Sequence, residues 1–451
     1  MEMNAFESYA TPFLEAFKTP GTMVALSNPK YQQSFGYRNV EGQQPIDEDT
    51  IFGIGSVTKV MTCMAIMKLQ EEGKLSVHDT VTTYAPEFSA SEDQRSKDMT
   101  IHHMMTHTSG LPPLDTLFYA NKKSVSNEEF KAMSDHLDVN TPSIDTEDEF
   151  FSYLRSKSYR LLADPGEVFS YSNDGYSILG YIIERVSGLS YADYMQDEIF
   201  SPAGMKRTFF SPKKLEDYEN VAMLYTMEQK DNEAFTEASP TWWDAPTMWS
   251  AGYVKSTAKD MLLFGNQLIE SKATILSADS LKQLTTQHVQ IEPDLYYGYG
   301  IMIRTDFFGR RTLEHAGGIK GVSAQLTVLP DEKTAGVCLT NIAGAPASSV
   351  LESALKVAIG ESPDTPTVTY EDVELSNESK QFMLGTYKAN EGQSLEIVEK
   401  DNKIFIVVEG QEVPARMVGE QMLTLHMYGM EHLIQWNGKN LLFGFRQLER
   451  V

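Results

Sequence analysis

The sequence predicts an α+β fold: an antiparallel sheet flanked by helices with an all-helical region beside it, followed by a small all-β barrel. Three observations carry that expectation. The chain opens with helix, hairpin and helix in succession. A second pair of β-prone runs around a tight turn appears much later and leads into another helix. From residue 384 onward the pattern changes to short alternating runs separated by turn residues. With 451 residues there is room for more than one core. The expected divisions are 1–360, a linker over 361–370 and a barrel over 371–451.

Residues Ala5 to Phe17 repeat apolar side chains at helical spacing and stop at Lys18-Thr19-Pro20-Gly21. Two β-prone runs, Thr22 to Leu26 and Tyr31 to Tyr37, flank Ser27-Asn28-Pro29-Lys30 as a hairpin. Thr50 to Ile54 reads as a strand or extended approach to Gly55-Ser56-Val57-Thr58-Lys59. Val60, Met61, Met64 and Met67 then mark a helix closing at Glu72-Gly73-Lys74, with Ser56 as its expected N-cap. Residues 115–160 turn polar and acidic but keep aromatic anchors at Phe118, Phe130, Phe150, Phe151 and Tyr153. They read as a helical insertion, either a lid over a pocket or a surface excursion.

Pro165-Gly166 marks a turn, Phe169-Ser170-Tyr171 a short extended piece, and Ser172-Asn173 introduce an apolar helix from Gly175 to Val186. Tyr191 to Phe200 is a further helix. Trp242, Trp243 and Trp249 crowd one loop-like stretch, which is a core plug or the wall of an apolar substrate pocket; Trp243 is the candidate contact. Ser250 to Thr257 caps a helix running through Asp260 to Leu268. Tyr297 to Ile303 reads as one strand. Ser323 to Leu329 and Ala335 to Thr340 form a hairpin around Pro330-Asp331-Glu332-Lys333, and a helix over 346–359 covers the sheet. After linker-like composition from Glu361 to Thr367 come six alternating runs: 384–388, 395–398, 404–409, 422–426, 433–436 and 441–445. Asp401-Asn402, Glu409-Gly410 and Asn437-Gly438 separate them, as in an up-and-down barrel or sandwich. Binding, shielding or oligomerisation is expected of that part.

Composition narrows the function. Hydrophobic content of 41% and charge of 22% are those of a globular protein. A net charge of −25 argues against nucleic acid and against an anionic membrane surface. No apolar run is long enough to span a bilayer. The N-terminus lacks a basic then apolar leader, so a cytoplasmic location is expected. Cys63 and Cys338 make no disulfide framework and read as small core residues. His102, His103 and His107 find no nearby carboxylate or cysteine to complete a ligand set, so neither metal nor cofactor is expected.

Ser56 and Lys59 carry the chemistry. Three apart on a helix, they share one face. A lysine desolvated among methionines loses proton affinity and accepts a serine proton. The helix N-terminus adds positive potential where an oxyanion would form. Taken singly, the spacing fits a helix cap equally well, Tyr171 reads as a surface aromatic, and His315 as an ordinary sheet residue.

Three motifs in order, Ser56-Val-Thr-Lys59, Tyr171-Ser-Asn173 and His315-Ala-Gly-Gly318, are much less common together. In them the chain resembles the serine β-lactamase and penicillin-binding-protein superfamily, in particular its class C-like branch of D-Ala-D-Ala carboxypeptidases, D-aminopeptidases and esterases. The resemblance covers Phe6 to Ile359 and is reinforced by His107-Thr-Ser-Gly-Leu111 and by Ser250 to Asp260. The C-terminal part resembles the lipocalin-like appendage of some members. The resemblance implies Ser56 as the acylated nucleophile and Lys59 as the residue that helps deprotonate it. It implies Tyr171, as a phenolate stabilised by Lys59, as general base. Asn173 would bond Lys59 or the substrate amide, and the N–H groups of Ser56 and Gly318 would form the oxyanion hole.

The third motif departs from the family. Penicillin-recognising members carry Lys-Thr-Gly, whose ammonium and hydroxyl hold a carboxylate; here the residues are His315, Ala316 and Gly317. Recognition of β-lactams or D-Ala-D-Ala through that carboxylate is weakened accordingly. The resulting expectation is a serine hydrolase acting through an acyl-enzyme on small peptides, amides or esters, with D-residue-containing peptides among the candidates. His315, Gly317 and Trp243 would join Asn173 in binding substrate. The alternatives are a carboxylesterase with weak β-lactamase activity, a penicillin-binding D-Ala-D-Ala carboxypeptidase, and a catalytically silent scaffold. An extra barrel and two acidic halves suit a homo-oligomer.

Overall fold

The computed structural model describes residues 3–89, 93–133, 137–230, 233–374, 381–389, 391–401, 403–408, 410–427 and 430–451. An eight-stranded antiparallel sheet forms its centre. In spatial order the strands are Lys30–Gly36, Gly21–Ser27, Thr334–Thr340, Val322–Leu329, Thr312–Ile319, Met302–Arg304, Leu295–Tyr297 and Val289–Glu292. Both hairpins read from the sequence are present, and Gly21–Ser27 joins them by pairing with Thr334–Thr340.

One face of the sheet is covered by the helices Asn4–Ala16 and Ala347–Ile359. Phe6, Ala10 and Leu14 recur every four residues and so form one stripe, which buries against Val350, Leu351, Ala354 and Leu355 over Val24, Leu26 and Cys338. Full burial of a side chain such as Phe6 contributes about 2 kcal/mol. The other face carries the main core around the helix Thr58–Glu71. Val60, Met61, Cys63, Met64, Ala65, Ile66 and Met67 are all buried, so this helix is apolar on every side and lies inside the core. Cys63 and Cys338 are free and sit in the two different cores. Residues 115–160 include the helices Thr116–Asn121, Asn127–Met133 and Glu147–Ser156. Phe130, Phe150, Phe151 and Tyr153 are buried among them, while Phe118 is only partly buried.

Several expectations need correction. Ser56 is not an N-cap: it lies in a 3₁₀ turn over Gly55–Val57, and the helix cap is Val57, with no side-chain hydrogen bond. The run Tyr297 to Ile303 is not one strand. Residues 298–301 turn tightly and Tyr297 pairs back on Met302. Gly300, at φ +70°, makes the turn possible, since a Cβ there would stand 2.7 Å from the Lys59 carbonyl and 2.8 Å from Cys63 Sγ. The turn is thus pressed onto the Ser56–Lys59 helix. The hairpin Tyr225–Lys230 with Glu233–Ala238 was also not expected. Ile51–Gly53 does extend, pairing with Lys255–Thr257.

The C-terminal part is a closed barrel of eight strands: Gly385–Lys388, Ser394–Lys400, Lys403–Val408, Gln411–Gly419, Met422–Met427, Met430–Trp436, Asn440–Phe443 and Arg446–Arg450. The sequence showed six of them. Gln411–Gly419 contains Pro414 and Arg416 and keeps most side chains outside, and Arg446–Arg450 is mainly polar, so neither shows an apolar alternation. Asn402 and Glu409 of the turn signals lie outside the described residues. The interior is filled by Tyr387, Leu395, Ile397, Ile406, Leu423, Leu425, Ile434 and Leu441. Leu442 and Phe445 leave the barrel to pack on Phe169, Ile291, Leu295, Tyr297 and Met302, which fixes its turn at the sheet's edge. Beside this contact a cavity of about 560 Å³ is lined by residues of the sheet, the linker and the barrel. Among the described residues no helix is long and apolar enough to cross a membrane.

Candidate active site

Three elements meet at Ser56. The turn that bears it is held by Thr58, whose hydroxyl donates to the Gly55 carbonyl at 2.7 Å, and Gly55 itself adopts φ +50°. Gly55 and Val57 are buried while Ser56 is only partly so, which leaves its hydroxyl accessible. One helical turn further on, fully buried Lys59 places Nζ 3.1 Å from Ser56 Oγ. The same nitrogen meets Asn173 Oδ1 at 2.9 Å and the Ala251 carbonyl. Asn173 is delivered by the first turn of the helix Asn173–Ser187, which Ser172 caps by accepting the Gly175 N–H at 3.1 Å.

Tyr171 stands just ahead of that cap. Its ring stacks on His107 at 4.1 Å, and Lys59 Nζ lies 4.7 Å from its centroid. His107 is itself anchored, Nδ1 accepting the Ser172 N–H at 3.0 Å. Burial drives the proton affinities of the pair apart. It lowers that of Lys59 far below the usual range, with the nearby Arg446 charge adding to the effect. It raises that of Tyr171, opposed by a Ser56 hydrogen bond and by Arg446. Burial thus opposes the charged form of each group. Lys59 Nζ has three oxygen partners, the Ser56 hydroxyl, the Asn173 amide oxygen and the Ala251 carbonyl.

The strand Thr312–Ile319 closes the site from the other side. A Cβ on Gly317 would sit 1.9 Å from the Ile54 carbonyl oxygen and 3.2 Å from Ser56 N, so only glycine lets this strand approach the turn. Gly318 has open space beside it, and its N–H is 2.7 Å from where a Gly55 Cβ would lie. Gly317→Ala is therefore expected to push strand and turn apart. Loss of one oxyanion donor costs about 10²–10³-fold in turnover; a fall of that size in kcat, with a lowered Tm in thermal unfolding, is the expected result. His315 is buried, with both ring nitrogens engaged: Nδ1 donates to the Ala316 carbonyl at 2.6 Å and Nε2 accepts from Tyr297 at 3.1 Å. Burial above all pushes it down to about 3, so it is neutral at pH 7.

Trp243 is partly buried in a small crevice with Trp242, Gly53 and Lys320, its indole N–H directed at Glu129 at 3.4 Å. The other histidines are used locally. His102 Nδ1 pairs with Tyr299 and His103 with the Thr100 backbone. Among the described residues no group of three or more His, Cys, Asp or Glu is placed to hold a metal ion.

Sequence reasoning missed the barrel's contribution. Phe445 accepts the Tyr171 N–H on its carbonyl at 2.9 Å, and Gln447 donates from Nε2 to the Phe169 carbonyl at 2.9 Å. Between them Arg446 puts its guanidinium 4.5 Å from the Tyr171 ring centroid, its Nε held 2.8 Å from Glu391. No local signal marks Arg446, since an arginine opening a strand is ordinarily a solvated edge residue.

A family model described as Beta-lactamase matches residues 6–360. Penicillin-binding protein 4* of Bacillus subtilis (strain 168) is 26% identical over 408 residues, covering 87% of this chain and 84% of that protein. Among solved structures, the octameric penicillin-binding protein homologue from Pyrococcus abyssi aligns with a TM-score of 0.72 at 27% identity, over 99% of this chain and 100% of that one. A D-stereospecific amidohydrolase from Streptomyces sp. aligns with a TM-score of 0.64 at 20% identity, over 80% of this chain and 99% of that one, a likeness of fold alone.

Proposed function

The chain belongs to the Beta-lactamase family over residues 6–360, and on that premise we propose that it is a serine hydrolase acting through an acyl-enzyme on Ser56. The observation that carries this reading is the 3.1 Å approach of buried Lys59 Nζ to a partly exposed Ser56 Oγ. As the Ser56 oxygen attacks the substrate carbonyl, its proton passes to the Lys59 amine. The oxyanion is held by the N–H groups of Ser56 and Gly318. The leaving group departs with a proton returned from Lys59, either directly or through Tyr171. Water then attacks the acyl-enzyme by the reverse route. In this scheme residues 1–360 do the chemistry, 361–370 connect, and the barrel over 371–451 completes the site's wall.

Small peptides, amides and esters are the substrate class, with D-residue-containing peptides among the candidates. That class is the one expected of a partly exposed serine hydroxyl beside a buried amine. Assembly into a homo-oligomer is part of the proposal, after the octameric Pyrococcus homologue. Intact-mass spectrometry after exposure to a fluorophosphonate and, separately, to penicillin tests the reading. Fluorophosphonate addition mapped to the Ser56 peptide, without a stable penicillin adduct, is the expected result. A stable penicillin adduct would favour the penicillin-binding reading, and no adduct with either reagent would leave a scaffold.

A further inference from the structure

We propose that Arg446, carried into the site by the barrel, is a positioning residue for proton transfer: its fixed charge holds the Lys59–Tyr171 pair in proton-accepting form. This rests on the serine hydrolase reading and assigns part of its machinery to the barrel.

The geometry is specific. The turn between the last two barrel strands needs left-handed backbone at Gly444 (φ 55°) and at Phe445 (φ 65°), where a bulky residue bears the strain. What this conformation achieves is a hydrogen bond from the Tyr171 N–H to the Phe445 carbonyl, with the next residue's guanidinium beside the Tyr171 ring. Gln447 then ties the same strand to Phe169. Three successive barrel residues thus act on the segment that bears Tyr171. Glu391, from the hairpin following the barrel's first strand, orients the guanidinium through Nε.

Among the described residues, Arg446 is the arginine whose charge acts on both Lys59 and Tyr171. His107 and His315 are kept neutral by burial. Cys63, Tyr176 and Tyr297 are kept protonated, also by burial. Asp174, on the first turn of the Asn173–Ser187 helix, is pushed up to about 7 by burial and needs its own control. A positive charge disfavours the ammonium form of Lys59 and favours the ionised form of Tyr171. Whichever of the two takes the Ser56 proton, Arg446 acts in the same direction.

The test is the pH dependence of acylation by p-nitrophenyl acetate, an uncharged ester with no carboxylate for Arg446 to bind. Activity needs the proton-accepting member of the pair unprotonated, so it rises with pH, and removing the positive charge moves that rise to higher pH. For Arg446→Gln the expected displacement is about one pH unit or more, equivalent to at least about a tenfold loss on the acidic side. Arg446→Lys is expected to return the limb towards wild type. Glu391→Gln, which removes the opposing charge, is expected to move it to lower pH. All displacements should persist in an Asp174→Asn background. Superimposable limbs in the three variants, or displacements that vanish with Asp174, overturn the proposal; circular dichroism of Arg446→Gln separates a misfolded variant, for which Arg446→Lys and Glu391→Gln decide alone. A wild-type chain never acylated on Ser56 overturns this proposal and the hydrolase reading together.

Discussion

Ser56→Ala is expected to reduce acylation by about 10⁶-fold, the scale seen when the nucleophile of a comparable serine hydrolase is removed. The substitution deletes one oxygen from a partly exposed position in a turn whose other hydrogen bonds come from Thr58 and the backbone. Lys59 keeps Asn173 and Ala251 as partners. Fold and Tm should therefore be almost unchanged. The check is the fluorophosphonate mass shift, present in the wild type and absent in the variant at equal thermal stability. Residual labelling above background would place the nucleophile elsewhere in the chain.

Lys59→Met is expected to lower acylation by about 10⁴-fold, the upper range for loss of a positioned general base. Methionine fills the volume beside the Tyr171 and Tyr176 rings without an amine. The Asn173 amide oxygen and the Ala251 carbonyl lose their donor, at about 1–3 kcal/mol for a buried acceptor left unpaired. Part of that is offset, because burial already opposes the charged form of Lys59. A modest fall in Tm with a very large fall in burst rate is the expected pattern, measured by thermal unfolding and stopped-flow ester acylation. Near-wild-type acylation would remove Lys59 from proton transfer and leave Tyr171 as the base.

The contrast between Lys59 and Arg446 shows what can be read from a chain alone. Ser56 and Lys59 lie within one turn, so their spacing dictates their encounter once a helix forms. Asn173 and Tyr171 were legible through their motif, and the cap at Ser172 explains why that motif begins a helix. Gly317 was legible as a glycine, but its reason, the carbonyl of Ile54, was not. The break at residues 298–301 was hidden for a related cause. An apolar run of strand-like residues turns back there because a helix occupies the space ahead of it.

By itself the sequence determined the order of the first helices and hairpins, the proximity of Ser56 to Lys59, and the change to a barrel-like cadence, because each depends on residues near one another in the chain. The tertiary structure decided that Lys59 and Tyr171 are both buried, which lowers the proton affinity of the amine and raises that of the phenol. It also decided that a barrel strand opening with Arg446 becomes part of the site. Charge acts through space, and no spacing in the sequence measures the 4.5 Å between that guanidinium and the Tyr171 ring.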